Sequence, residues 1–116
     1  MALQNTRLTE LLYVPSAVAA IYTNPASTKS FVRGLILHNT NTTTETVTVH
    51  WVPDSAGAVG TAGNATRFVN VLLVSNETLI VEVPFSLVML DENETIQAVT
   101  TTASKVTVAV VGDKDA

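Results

Sequence analysis

Residues Phe31 to Pro53 read FVRGLILHNTNTTTETVTVHWVP. Two apolar-rich runs, FVRGLILH and TVTVHWV, flank a polar segment of Asn and Thr, the pattern of a β-hairpin. In the second run Val47, Val49 and Trp51 alternate with Thr46, Thr48 and His50, which gives one apolar and one polar face. The first run is apolar on both faces, with Phe31, Leu35 and Leu37 on one and Val32 and Ile36 on the other. A strand of that kind belongs in a sheet interior, covered on both sides or lying at a subunit contact.

Composition agrees with a β reading. Eighteen Val and eighteen Thr dominate the 116 residues, and both side chains are β-branched. Their stiff χ1 suits a pleated surface better than a helix. Apolar residues make up 47% and charged residues 14%, which excludes a disordered chain. The length suits one domain with a substantial core.

Net charge is −4, and Arg7, Lys29, Arg33, Arg67, Lys105 and Lys114 never cluster. Direct nucleic-acid binding needs grouped cations to replace phosphate counterions, so it is not expected. The absence of cysteine rules out disulfides and thiolate metal sites. The start, MALQNTRLTE, lacks the pattern of a signal peptide, and no apolar run approaches the ~20 residues of a membrane span. The expectation is a soluble protein made in a cytoplasm, with no membrane partner.

Along the chain, Arg7 to Val14 predicts a strand or extended arm, since Pro15 stops any helix. Ala17 to Thr23 predicts a strand, closed by the turn Asn24-Pro25. Pro53 to Ala65 (PDSAGAVGTAGNA) predicts a long, exposed, mobile loop. Thr66 to Val74 and Thr78 to Pro84 predict a second hairpin, and Phe85 to Leu90 a short strand. Thr95 to Thr101 and Lys105 to Val111 predict a closing hairpin. The expected domain is a single antiparallel β-sandwich of eight to nine short strands, jelly-roll or Ig-like. Its expected limits are an N-terminal arm or first strand over 1–15, the sandwich over 16–112, and a frayed tail over 113–116.

Catalytic chemistry does not emerge. His38 and His50 fall on the two arms of the expected central hairpin, without a third metal ligand. Asp91, Glu92 and Glu94 supply oxygens suited to Ca²⁺, but in a spacing that reads as an acidic solvated turn. No nucleophile elbow, phosphate loop or zinc helix motif occurs. The N-x-Thr sequences at Asn41, Asn64, Asn76 and Asn93 read as Thr-rich turns. The expected catalytic, cofactor and metal residues are none.

Taken in order, AAIYTNPASTKSFVRGLILHNTNTTTETVTVHWVP, a Gly-rich loop and ETLIVEVPFSLVMLDENETIQAVTTTASKVTVAVVGD resemble small virion proteins of tailed bacteriophages. The resemblance runs from about Ile21 onward and departs at Asp91 to Thr95, where DENET replaces a Gly-Asp turn. It implies a β-sandwich virion component that works by assembly, either a capsid decoration protein or a tail or fibre accessory. The implied partners are further copies, a trimer being favoured, and a major capsid protein.

A mean hydropathy of +0.34 points the same way, because surplus apolar surface calls for a partner. The apolar residues left over on strands give the expected interface: Val32, Ile36, Trp51, Leu73 and Ile80. The arm Met1 to Pro15 is a further candidate to reach a neighbour. A rival expectation is a tail-tip module that binds a host glycan or surface protein through Pro53 to Ala65 and the His50/Trp51 end.

Overall fold

The computed structural model describes residues 3–89 and 91–115. Its strands are β1 (Leu3–Arg7), β2 (Leu12–Tyr13), β3 (Ala19–Thr23), β4 (Lys29–Asn39), β5 (Glu45–Val52), β6 (Arg67–Leu73), β7 (Thr78–Met89), β8 (Thr95–Thr100) and β9 (Val106–Asp115). The helical content among described residues is one 3₁₀ turn, Asn64–Thr66. One sheet has the order β1-β9-β4-β7, with β2 also on β9; the other has the order β3-β8-β5-β6. Every pairing between these strands is antiparallel.

The pairing is nested. β5 pairs with β6, β4 with β7, β3 with β8, and β1 and β2 with β9. The chain is therefore one long hairpin, folded at the β5–β6 loop and rolled on itself. The β4–β9 and β5–β8 ladders close the roll. With β1 and β2 counted as one interrupted edge strand along β9, this is an eight-stranded double sheet, and one built this way is a jelly roll.

This topology corrects all three expected hairpins. β4 and β5 lie in different sheets, as do β6 and β7, and β8 and β9. Alternation specifies which face of a strand is buried, but not which strand its backbone pairs with. The short polar segments between these runs are crossovers between the sheets.

The doubly apolar first run also has a different cause. Val32 pairs with Gly112 and Gly34 with Val111, so Arg33 is an extra residue in β4. This bulge shifts the side-chain alternation by one. Val32 before it and Leu35 and Leu37 after it all point into the core, while Ile36 points outward. The extruded Arg33 donates through Nε to the carboxylate of the buried Asp113. At Gly112 a Cβ would lie 2.0 Å from the Phe31 carbonyl oxygen, so the strands approach here as only glycine allows.

β7 is continuous across the Pro84–Phe85 boundary, where a separate short strand was expected. Its ladder to β4 breaks between Glu82 and Leu87, which accommodates a proline with no N–H to donate. β9 reaches Asp115 and is paired there with β1 and β4, so the expected fraying at 113–115 is replaced by sheet. Of the arm or first strand expected over 1–15, the strand is present, as β1 and β2 paired with β9.

Between the sheets Leu35, Leu37, Val47, Val49, Ile96 and Val108 are fully buried. Two buried asparagines brace the ends. Asn24 donates its side-chain amide to the carbonyls of Thr28 and Asp91, both at 2.9 Å, joining the β3–β4 and β7–β8 crossovers. Its Oδ1 accepts the Ser30 hydroxyl at 2.6 Å. Asn39 donates to the carbonyls of Thr43 at 3.0 Å and Leu73 at 2.9 Å, joining the β4–β5 and β6–β7 crossovers.

Candidate interaction surface

The two histidines are on opposite sides of the sandwich. His38 sits on the outer face of the first sheet, with Nδ1 2.7 Å from Thr78 Oγ1. His50, on β5 of the second sheet, is buried and has Nδ1 3.0 Å from Thr66 Oγ1. The crossover between β4 and β5 separates residues that a hairpin would have brought near each other. Among the described residues no group of three or more His, Asp or Glu converges, and no pocket forms.

In the Asp91–Glu94 turn Asp91 and Glu92 are exposed, while Glu94 is buried and bonded within the chain. The Glu94 carboxylate accepts the Asp91 backbone N–H at 3.1 Å and the Trp51 indole N–H at 3.3 Å. Asn93, in the left-handed region with φ 72°, donates to the Gly57 carbonyl at 2.9 Å. Gln97 donates to the Gly60 carbonyl at 3.0 Å. These two bonds tie the Gly-rich loop to β8 and to the turn that precedes it. At its tip Ala56 and Gly57 both have positive φ, and a Ser55–Ala58 bridge closes the turn.

The five expected interface residues divide by position. Val32 and Leu73 are buried in the chain's own core, a correction that follows from the β4 bulge and from the inward face of β6. Trp51 shares the inward face with Val47 and Val49, and packs half-buried against the core. Ile36 and Ile80 stand on the outer face of the first sheet, directly paired in the β4–β7 ladder. Ile36 is 38% and Ile80 63% exposed.

Ala109 lies opposite Ile36 on its other side, so one row across three strands reads Ala109, Ile36, Ile80. The neighbouring row reads Tyr13, Thr107, His38, Thr78, and Tyr13 and the nearby Leu11 are also exposed. The outer face of the first sheet thus exposes Ile36, Ile80 and Tyr13 among Thr78, Thr107, His38 and Glu82. Leu72, on the β6 edge, is a second exposed apolar feature at 68%.

The buried polar groups were not found by motif reasoning. Glu45, 1% exposed, accepts the Thr102 N–H at 2.8 Å, the Thr100 hydroxyl at 3.1 Å and the Asn41 amide at 3.0 Å. Its signal was a lone charge between two Thr within a strand-like run. No family model, curated protein or solved structure matches the chain.

Proposed function

We propose that this chain is a non-enzymatic structural protein of a tailed-bacteriophage virion, a capsid decoration or cement protein that stabilises the shell by contact. The observation that carries the reading is the cross-strand pair Ile36 and Ile80, left exposed beside the buried Ala109 on the outer face of a closed sandwich. A well-packed domain has no folding use for that pair in water, and docking against a larger surface removes it from solvent. The sequence resemblance to phage virion proteins and the jelly-roll strand order support the reading. The second of these is an analogy of fold, a class that also serves lectins and cupins.

The mechanism is burial of this outer face against a major capsid protein, with no metal or cofactor taking part. A contact of this kind adds stability by mass action, about 2.7 kcal/mol per site at a hundredfold excess over Kd. The test is to compare particles with and without the protein. Depleted particles assemble but burst at lower temperature, and adding back the wild-type chain restores them in the presence of chelator. An Ile80→Lys chain folds but does not restore them. If depleted particles resist heat as well as complete ones yet fail to adsorb to host cells, the tail-tip binding module replaces this reading.

A further inference from the structure

The sandwich has sheet edges at β1/β2, β7, β3 and β6. An open edge invites pairing with another strand unless it is broken, short or polar. β7 carries Pro84, and its ladder is interrupted between Glu82 and Leu87. β3 has five residues and a register shift between Ala20 and Tyr22. The first edge is split into a polar β1 (LQNTR) and a two-residue β2. β6 differs: after a bulge at Phe68 it runs in regular register from Val69 to Leu73, without charge or proline.

We infer that β6 pairs antiparallel with β6 of a second copy about a two-fold axis at Val71, joining the two second sheets into one. Three features set the occupant and the register. The regular ladder Val69–Leu73 and the uncharged run Phe68–Val74 (FVNVLLV) both have their centre at Val71. Side chains paired across antiparallel strands share a face, and about this axis Phe68 meets the partner's Val74 on the outer face, both exposed in the single chain. Val71 itself is half-buried at the margin of the core, and on the axis it meets its own copy there.

Charge supports the same register. The run ends at Arg67 on one side and at the Ser75–Glu77 turn on the other. Antiparallel pairing about Val71 sets Arg67 of one copy opposite Ser75 of the partner subunit. Glu77 is held at that turn by its carboxylate, which accepts the Val74 N–H at 2.9 Å. Each end of the joined strands then brings one cation to one anion, and the two arginines lie far apart. An isologous contact of this kind closes as a pair, in place of the expected trimer.

This inference stands apart from the virion reading, because it is tested on the isolated chain. Phe68 and Val74 are about 20 Å apart along one strand and cannot bridge within a copy. In this cysteine-free protein a Phe68→Cys/Val74→Cys double variant, mildly oxidised, is expected to run as a covalent dimer on denaturing gels. Each single variant is expected to remain largely monomeric on the same gel. Sedimentation of the wild type is expected to show a concentration-dependent dimer, and Leu72→Lys to raise its dissociation constant at least tenfold. Amide exchange of wild type covers the case in which the double variant does not fold, with residues 69–74 slowing at least tenfold as dimer forms. A wild type that stays monomeric at about 200 µM overturns the proposal, as does a dimer whose 69–74 amides gain no protection. A folded double variant that fails to cross-link where wild type dimerises overturns it as well.

Discussion

Trp51 Nε1 donates to Glu94 Oε2 at 3.3 Å, tying the end of β5 to the acidic turn that precedes β8. The bond matters because the indole is only half-buried, packed against the core at the open end of the sandwich. Trp51→Ala is expected to cost about 3 kcal/mol, within the usual range for losing a large ring. Trp51→Phe keeps most of the packing and loses the hydrogen bond, and is expected to cost about 1 kcal/mol. Urea titrations followed by far-ultraviolet circular dichroism measure both. Equal losses would show that the indole N–H, and not the ring, dominates.

The asparagine braces make a second prediction. Asn39 holds carbonyls on two crossovers, so Asn39→Ala leaves buried acceptors without donors. Each unsatisfied group costs about 1–3 kcal/mol, and a loss of at least 3 kcal/mol is expected. Asn39→Asp keeps the size and the Oδ1 acceptor for the Asn41 N–H but loses the donor, so it should be nearly as damaging. Thermal melts at neutral pH compare the two with wild type.

Glu45 gives stability a pH dependence. Burial opposes its charge, but bonds from Asn41, Thr102 and Thr100 outweigh that and hold the carboxyl below the usual glutamate range. A folded pKa lower than the unfolded value, ~4.3, gives stabilisation that is fully present above that value. It is lost as pH falls through the folded pKa. Wild type is therefore expected to lose stability steeply below about pH 4, and Glu45→Gln to be less stable at pH 7 with a shallower acid slope. Denaturant midpoints measured from pH 3 to pH 7 give both slopes.

Strand existence was legible because Val and Thr alternate over most of the runs, and that pattern survives whatever the topology. Topology was not legible. Nothing in FVRGLILH or TVTVHWV distinguishes two strands that pair from two that cross between sheets, since both keep one face inward. Nested long-range pairing also leaves no local trace, since β9 meets β1 from the far end of the chain. Ile36 and Val32 show the finer limit. By plain alternation they share a face, yet the single extra residue Arg33 sends one into solvent and the other into the core. Ile80 was readable as surplus apolar surface, while its pairing with Ile36 depended on the ladder.

That bulge yields the sharpest test of the backbone. Gly112 sits beside it, where an added Cβ would fall 2.0 Å from the Phe31 carbonyl oxygen and 3.2 Å from the Val32 Cα. Both contacts are backbone, so no side chain can rotate away, and β4 and β9 would have to separate. These strands form the centre of the first sheet and carry the Arg33–Asp113 pair. Gly112→Ala is expected to cost about 3 kcal/mol or more, at or beyond the upper end for overpacking. Gly63→Ala supplies the contrast, because a Cβ there meets nothing within 4 Å. It should leave stability within about 0.5 kcal/mol of wild type. Paired thermal melts of the two alanine variants decide the matter. A Gly112→Ala protein as stable as Gly63→Ala would mean that β4 and β9 do not approach each other at Phe31 as described.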